Sequence, residues 1–136
     1  MIFDTGPLLA AANRDDPDHS RCVELVLATT LILVPGPVVA EAGFMIGRIA
    51  GAQTEASFLR SLATSRFEVL APTQRELRRA ADLVEQYGDL PLGTTDAIVM
   101  ASAESRSDPN IATLDMRHFT VVRPNGFEAF EIHPPQ

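Results

Sequence analysis

This sequence contains no lysine and no tryptophan, and it has a single cysteine. All 11 of its basic residues are therefore arginine. The absence of lysine excludes mechanisms that need a catalytic amine, a Schiff base or a P-loop lysine. One cysteine allows neither an intramolecular disulfide nor a thiolate metal site. That cysteine, Cys22, has apolar neighbours, and they predict that it is a small buried side chain rather than a reactive thiol.

Long apolar runs are also missing. No segment approaches the roughly 20 apolar residues that a membrane-spanning helix needs. The N-terminus lacks the basic region followed by an apolar stretch that is typical of a signal peptide. We therefore expect a cytoplasmic protein that makes no contact with a membrane.

Basic residues are in deficit as well, because 18 acidic residues give a net charge of −7. Nucleic-acid-binding proteins usually carry a basic surface, so bulk charge argues against that class. The length of 136 residues and the hydrophobic content of 46% predict one domain covering residues 1–136. A chain of this length buries enough apolar surface to fold without a structural metal.

Short apolar runs bounded by polar or turn residues predict strands, and amphipathic or apolar segments between them predict helices. The predicted strands are Met1 to Asp4, Leu31 to Val34, Phe67 to Ala71, Ile111 to Leu114 and Ala129 to His133. The predicted helices are Pro7 to Asn13, His19 to Ala28, Val38 to Ile49, Thr54 to Thr64, Gln74 to Gln86 and Thr95 to Ser105. This alternation favours an α/β fold with a parallel sheet covered on both faces, whose ligand sites lie at the carboxyl ends of the strands.

Two acidic residues come directly at the ends of predicted strands. Asp4 follows Met-Ile-Phe, and Asp115 follows Ile-Ala-Thr-Leu. Both are thereby expected at the edge of the sheet where ligand sites form. A helix cap or a turn cap explains each of them equally well when it is taken alone.

Two further carboxylates are predicted on helices. Glu41 falls at the edge of the apolar line formed by Val38, Ala42, Met45 and Ile49, with Arg48 as an alternative salt-bridge partner. Asp96 begins an almost wholly apolar helix. Carboxylates that lie close together repel one another unless a cation compensates them, and oxygen ligands without His or Cys suit Mg²⁺ or Mn²⁺. If the four meet in space, they predict a divalent metal and phosphate chemistry.

The segments that carry these acids resemble, in order and spacing, the successive signatures of PIN-domain ribonucleases. More narrowly, the whole chain resembles the VapC toxins of VapBC toxin–antitoxin systems. The matching segments are Asp4 to Ala10, Val38 to Glu41, Gly93 to Ala97 and Ala112 to Phe119.

The resemblance implies a three-layer α/β/α sandwich with a mostly parallel central sheet in the order 3-2-1-4-5. It implies that Asp4, Glu41, Asp96 and Asp115 are catalytic and ligate Mg²⁺ or Mn²⁺. Thr5 and Thr113 match polar positions beside that quartet in the family. Met116 departs from the family pattern, where arginine is frequent, and leaves Arg117 as the candidate for contact with the phosphate.

The activity that the resemblance implies is metal-dependent hydrolysis of structured RNA, such as tRNA or rRNA, which inhibits translation. It further implies a homodimer and a VapB-like antitoxin, with DNA reached only through that antitoxin. The alternative is a PIN-fold binding module with weak or no nuclease activity. Without the four proposed ligands, 14 acidic residues remain against 11 basic ones, and an RNA substrate is no longer disfavoured by charge.

Other families that place acidic residues at strand ends fit less well. The tripeptide Asp-Thr-Gly occurs in aspartic proteases, but those proteins are almost entirely β. Receiver domains and haloacid-dehalogenase-type phosphatases both need a lysine, which this chain lacks. One alternative for His118 is a role as an acid or a phosphate donor near Asp115; we expect it instead to pack beside Phe119 and to cap a turn.

Overall fold

The computed structural model describes residues 1–136. Its strands are β1 (Ile2–Phe3), β2 (Ile32–Pro35), β3 (Phe67–Leu70), β4 (Asn110–Ala112) and β5 (Glu131–His133). Its helices are α1 (Thr5–Ala12), α2 (His19–Ala28), α3 (Gly36–Ala50), α4 (Ala52–Leu62), α5 (Gln74–Gln86), α6 (Thr94–Ser105) and α7 (Met116–Val121).

The five strands form one sheet in the order β3-β2-β1-β4-β5, and every pair is parallel. Consecutive residues of the central strands, such as Ile2 and Phe3, are both buried, although their side chains point to opposite faces of the sheet. Both faces are therefore covered, as expected for a parallel sheet. This arrangement confirms the predicted fold class and strand order.

A continuous cluster of 22 buried apolar residues forms the core around the sheet. Helix α6 contributes most to it, because its residues from Ala97 to Ala103 are all buried. Its small side chains let the helix pack closely in the interior. Cys22 is fully buried, as predicted, and burial raises the pKa of its thiol.

Local signals in the sequence set several helix ends. Helix α1 starts at Thr5, two residues before the predicted start at Pro7. Asp4 caps it by accepting a hydrogen bond from the Thr5 N–H at 2.8 Å. Gly51 separates α3 from α4 with φ of +88°, a conformation that favours glycine. Thr73 and Glu76 form a capping box at the start of α5, as their spacing predicts. No pattern in the sequence predicted the six-residue helix α7.

The buried face of α3 differs from the predicted one. The residues Val38, Ala42 and Ile46 are fully buried, whereas Met45 and Ile49 are 36% and 54% exposed. The predicted apolar line contained residues from both the buried face and the solvent-exposed face of α3, because this helix is apolar around most of its circumference. The exposed part is therefore apolar surface on the outside of the protein.

No helix of this chain is both long enough and apolar enough to cross a membrane.

Candidate active site at the ends of strands β1 and β4

Strands β1 and β4 are neighbours in the sheet, with Phe3 beside Ala112. The pairing continues past the end of β1, because the Asp4 N–H donates to the carbonyl of Ala112 at 2.8 Å. Gly6 lets α1 approach the chain after β4, since a Cβ at this position would lie 3.2 Å from the Cβ of Leu114. The segments that carry Asp4 and Asp115 are thereby held side by side at the carboxyl edge of the sheet.

Asp4 is only 6% exposed, and both of its oxygens accept hydrogen bonds. Oδ1 accepts from the Thr5 N–H and Oδ2 accepts from the Thr113 hydroxyl, each at 2.8 Å. Burial, followed by the negative charge of Asp96, raises the pKa of Asp4 to about 6, although the two hydrogen bonds oppose the rise. Ionisation of this buried carboxylate costs free energy, and a nearby cation would offset that cost.

Two threonines connect the site. Thr5 donates its hydroxyl to Oε2 of Glu41 at 2.9 Å, and this bond directs the Glu41 side chain from α3 toward the end of β1. Thr113 donates to Asp4 and accepts from the Asp115 N–H at 3.0 Å. Arg48 forms no ion pair with Glu41, and its guanidinium lies 5.7 Å from the centre of the Phe44 ring.

Asp96, Asp115 and His118 form the tightest group of the site. Nδ1 of His118 lies 2.7 Å from Oδ2 of Asp96 and 2.9 Å from Oδ2 of Asp115. One ligand atom from each of the three residues lies within 4.8 Å of the other two. All three side chains are partly buried.

The prediction for the His118 side chain was wrong. Its backbone N–H does take part in a turn, since it donates to Oδ1 of Asp115 at 3.0 Å. Its imidazole, however, points between the two carboxylates instead of serving only to pack beside Phe119. The three-residue separation from Asp115 was the available signal, because residues i and i+3 are neighbours once the segment is helical.

The four predicted carboxylates act on one another electrostatically. The charges of Asp96 and Glu41 raise the pKa of Asp4. Burial raises the pKa of Asp96, as do the charges of Asp115 and Glu41, against the hydrogen bond with His118. Asp4 and Glu41 are not members of the 4.8 Å group, so the acids form an extended cluster rather than one compact set. An uncompensated cluster of this kind attracts a cation.

Arg117 lies beside this cluster in the chain but not within it. Its side chain is exposed and belongs to none of the five ion pairs of the protein. It is therefore free to meet a ligand that approaches from solvent.

Comparison with known proteins places this arrangement in a family. The family described as PIN domain matches residues 1–123. The chain is 35% identical over 135 residues to ribonuclease VapC26 of Mycobacterium tuberculosis. This alignment covers 98% of the present chain and 100% of VapC26.

Solved structures share the fold at lower identity. The Mycobacterium tuberculosis VapC20 structure, described as a toxin that cleaves the sarcin–ricin loop, aligns with a TM-score of 0.75 at 18% identity, over 82% of this chain and 87% of that one. The Rickettsia felis VapBC2 complex, bound to a DNA fragment from its promoter, aligns with a TM-score of 0.68 at 20% identity, over 97% and 98% of the two chains. With the fold, the sequence and the ordered acidic segments in agreement, this chain belongs to the PIN-domain family and, within it, to the VapC toxin ribonucleases.

Proposed function

We propose that this protein is a metal-dependent endoribonuclease that hydrolyses phosphodiester bonds of structured RNA, such as tRNA or rRNA, and so inhibits translation. The observation that carries the proposal is the acidic cluster at the ends of β1 and β4. Its members Asp4, Glu41, Asp96 and Asp115 come from four separate segments of the chain, and their charges act on one another. The family membership supplies the reaction class.

The residues present fit a hard divalent ion. The donors are carboxylate oxygens, which Mg²⁺ and Mn²⁺ prefer, and the most buried of them, Asp4, has a raised pKa that a nearby cation would lower. Asp4, Glu41, Asp96 and Asp115 would hold the ion. When bound, such an ion activates water and stabilises negative charge on a phosphodiester undergoing hydrolysis.

The other residues of the site hold these groups in place. Thr113 fixes Asp4 and the start of the Asp115 turn through one hydroxyl, and Thr5 fixes Asp4 and Glu41 through its N–H and its hydroxyl. Arg117 is exposed at the start of α7 and would contact the substrate phosphate, since a guanidinium matches phosphate geometry with two parallel hydrogen bonds. Selectivity among RNAs would come from the shape of the surface around this cluster.

Removal of the ion tests the proposal directly. Purified protein incubated with cellular RNA should cut it when Mg²⁺ or Mn²⁺ is present, and cleavage should stop with excess EDTA. Adding the ion back should restore the same fragments. Equal cleavage in EDTA would contradict metal dependence, and an absence of cleavage in every ion would favour the alternative of a PIN-fold binding module.

We further propose that a VapB-like antitoxin covers the exposed apolar surface of α3 and α4. Phe44 is 63% exposed there, and Met45, Ile49 and Leu59 continue the patch. The net charge of −7 and the acidic cluster favour a basic segment in the partner. A contact with DNA would then be made through the antitoxin. A homodimer of this chain is proposed from family membership, and sedimentation analysis tests it.

Substitution on this patch tests the partner. Expression of the protein alone should slow growth, and co-expression of its cognate VapB-like antitoxin should restore it. The double change Phe44→Asp and Ile49→Asp should weaken antitoxin binding about tenfold or more, because it places two charges in an apolar interface. Leu77→Asp on α5, where the leucine is 48% exposed, changes an apolar side chain away from the patch and is the control. Unchanged binding by the double variant would place the antitoxin elsewhere.

A further inference from the structure

His118 occupies a position that a hydrogen-bonding role does not fully explain. Its Nδ1 lies 2.7 Å and 2.9 Å from the Oδ2 atoms of Asp96 and Asp115. A ring nitrogen carries at most one hydrogen, so Nδ1 makes one full hydrogen bond with one of these two oxygens. One ring nitrogen and one oxygen of each carboxylate are therefore within 4.8 Å of one another.

This spacing suits hydrogen bonds, and it also fits ligands of one shared metal ion. An octahedral ion with ligand bonds of about 2.1 Å places adjacent ligand atoms about 3 Å apart. The two distances from Nδ1 to the carboxylate oxygens are close to that value. Asp4 and Glu41 are not members of this close group, whereas His118 is.

We propose that Nδ1 of His118 is a ligand of the divalent ion, beside the carboxylates of Asp96 and Asp115. This inference rests on the proposed function, since it assigns one more ligand to the same metal site. Imidazole nitrogen is a common ligand of first-row transition ions, whereas Mg²⁺ is a hard ion that takes oxygen ligands. A nitrogen ligand from His118 should therefore favour a transition ion over Mg²⁺, and Mn²⁺ is the paramagnetic probe for it.

Pulsed electron paramagnetic resonance of the Mn²⁺-loaded protein tests the assignment. Wild type should show the coupling of a directly bound ¹⁴N to Mn²⁺, and protein grown with ¹⁵N-histidine should replace it with a ¹⁵N coupling. The coupling should disappear in His118→Asn and persist in His19→Gln, whose ring instead contacts the carbonyl of Ala10. Isotope labelling shows a histidine ligand even where His118→Asn is poorly folded, and the rings of His19 and His133 contact Ala10 and Asn110 instead.

Calorimetric titration gives the second readout. In His118→Asn the Kd for Mn²⁺ should rise about tenfold or more, while the Kd for Mg²⁺ should change less, because only the nitrogen ligand is lost. Mn²⁺ bound to folded wild type without histidine coupling would overturn the assignment and leave the carboxylate site standing. Failure of folded wild type to bind any divalent ion would overturn both this inference and the proposed metal-dependent function.

Discussion

Replacement of Asp96 by Asn should lower the rate of RNA cleavage about 100-fold or more while the protein stays folded. Asp96 lies at the start of α6, where it faces His118 and acts electrostatically on Asp4. The carboxamide has nearly the same shape but no charge, so it weakens the hold on the ion. A bound ion stabilises the transition state by several kcal/mol, and about 1.4 kcal/mol corresponds to a tenfold change in rate. Weaker binding of the ion therefore accounts for a 100-fold lower rate.

The matched control is Asp15→Asn. Asp15 is exposed in the loop after α1, beyond the end of that helix opposite to Asp4, and its side chain makes no hydrogen bond. Initial rates on cellular RNA, measured with and without excess Mn²⁺, compare the two variants with wild type. Wild-type rates for Asp96→Asn, in preparations whose circular dichroism matches wild type, would remove Asp96 from the mechanism.

Replacement of Asp4 by Asn should stabilise the metal-free protein at neutral pH, although it should destroy the site. The folded-state pKa of Asp4, about 6, lies above the unfolded value of 3.8, so the folded protein binds this proton more tightly. The contribution of Asp4 to the free energy of unfolding is therefore fully present below pH 3.8 and is lost as pH rises through 6. The loss in the free energy of unfolding amounts to about 1 to 3 kcal/mol by pH 7. Asn at this position does not ionise, so the variant does not lose this stability.

Urea denaturation in EDTA at several values between pH 4 and pH 7 measures this difference. The free energies of unfolding of wild type and Asp4→Asn should nearly coincide at pH 4 and diverge as the pH rises, with the variant more stable at pH 7. Saturating Mn²⁺ should reverse the order, because it stabilises only a protein that binds it. Parallel pH profiles for the two proteins would show that ionisation of Asp4 does not lower the free energy of unfolding.

The sequence predicted the elements that bring the site together. Short apolar runs fixed the strands, and the position of Asp4 and Asp115 directly after two of them placed both acids at one edge of a parallel sheet. The order of the strands came from the family resemblance, because strand adjacency depends on contacts between distant segments. Thr5 and Thr113 were matched by position alone, and the structure adds that they donate hydrogen bonds to Glu41 and Asp4.

The sequence did not predict the direction of individual side chains. The six residues of α7 are too few for a helical pattern, so the rotation that turns His118 toward Asp96 was invisible. On α3, apolar residues occur nearly all around the helix, and only packing shows that Ile46 is buried while Ile49 is exposed. The salt bridge considered between Glu41 and Arg48 does not form, because Thr5 from another helix provides the nearer partner.

Hydrolysis of RNA by water at a divalent ion in the acidic cluster predicts the source of the oxygen in the cleaved phosphate. Cleavage in H₂¹⁸O with Mn²⁺ should place one solvent oxygen in each new terminal phosphate and should leave no 2′,3′-cyclic phosphate. Fragments that end in a cyclic phosphate without solvent oxygen would show that the ribose 2′-hydroxyl attacks instead. They would contradict hydrolysis of RNA by water.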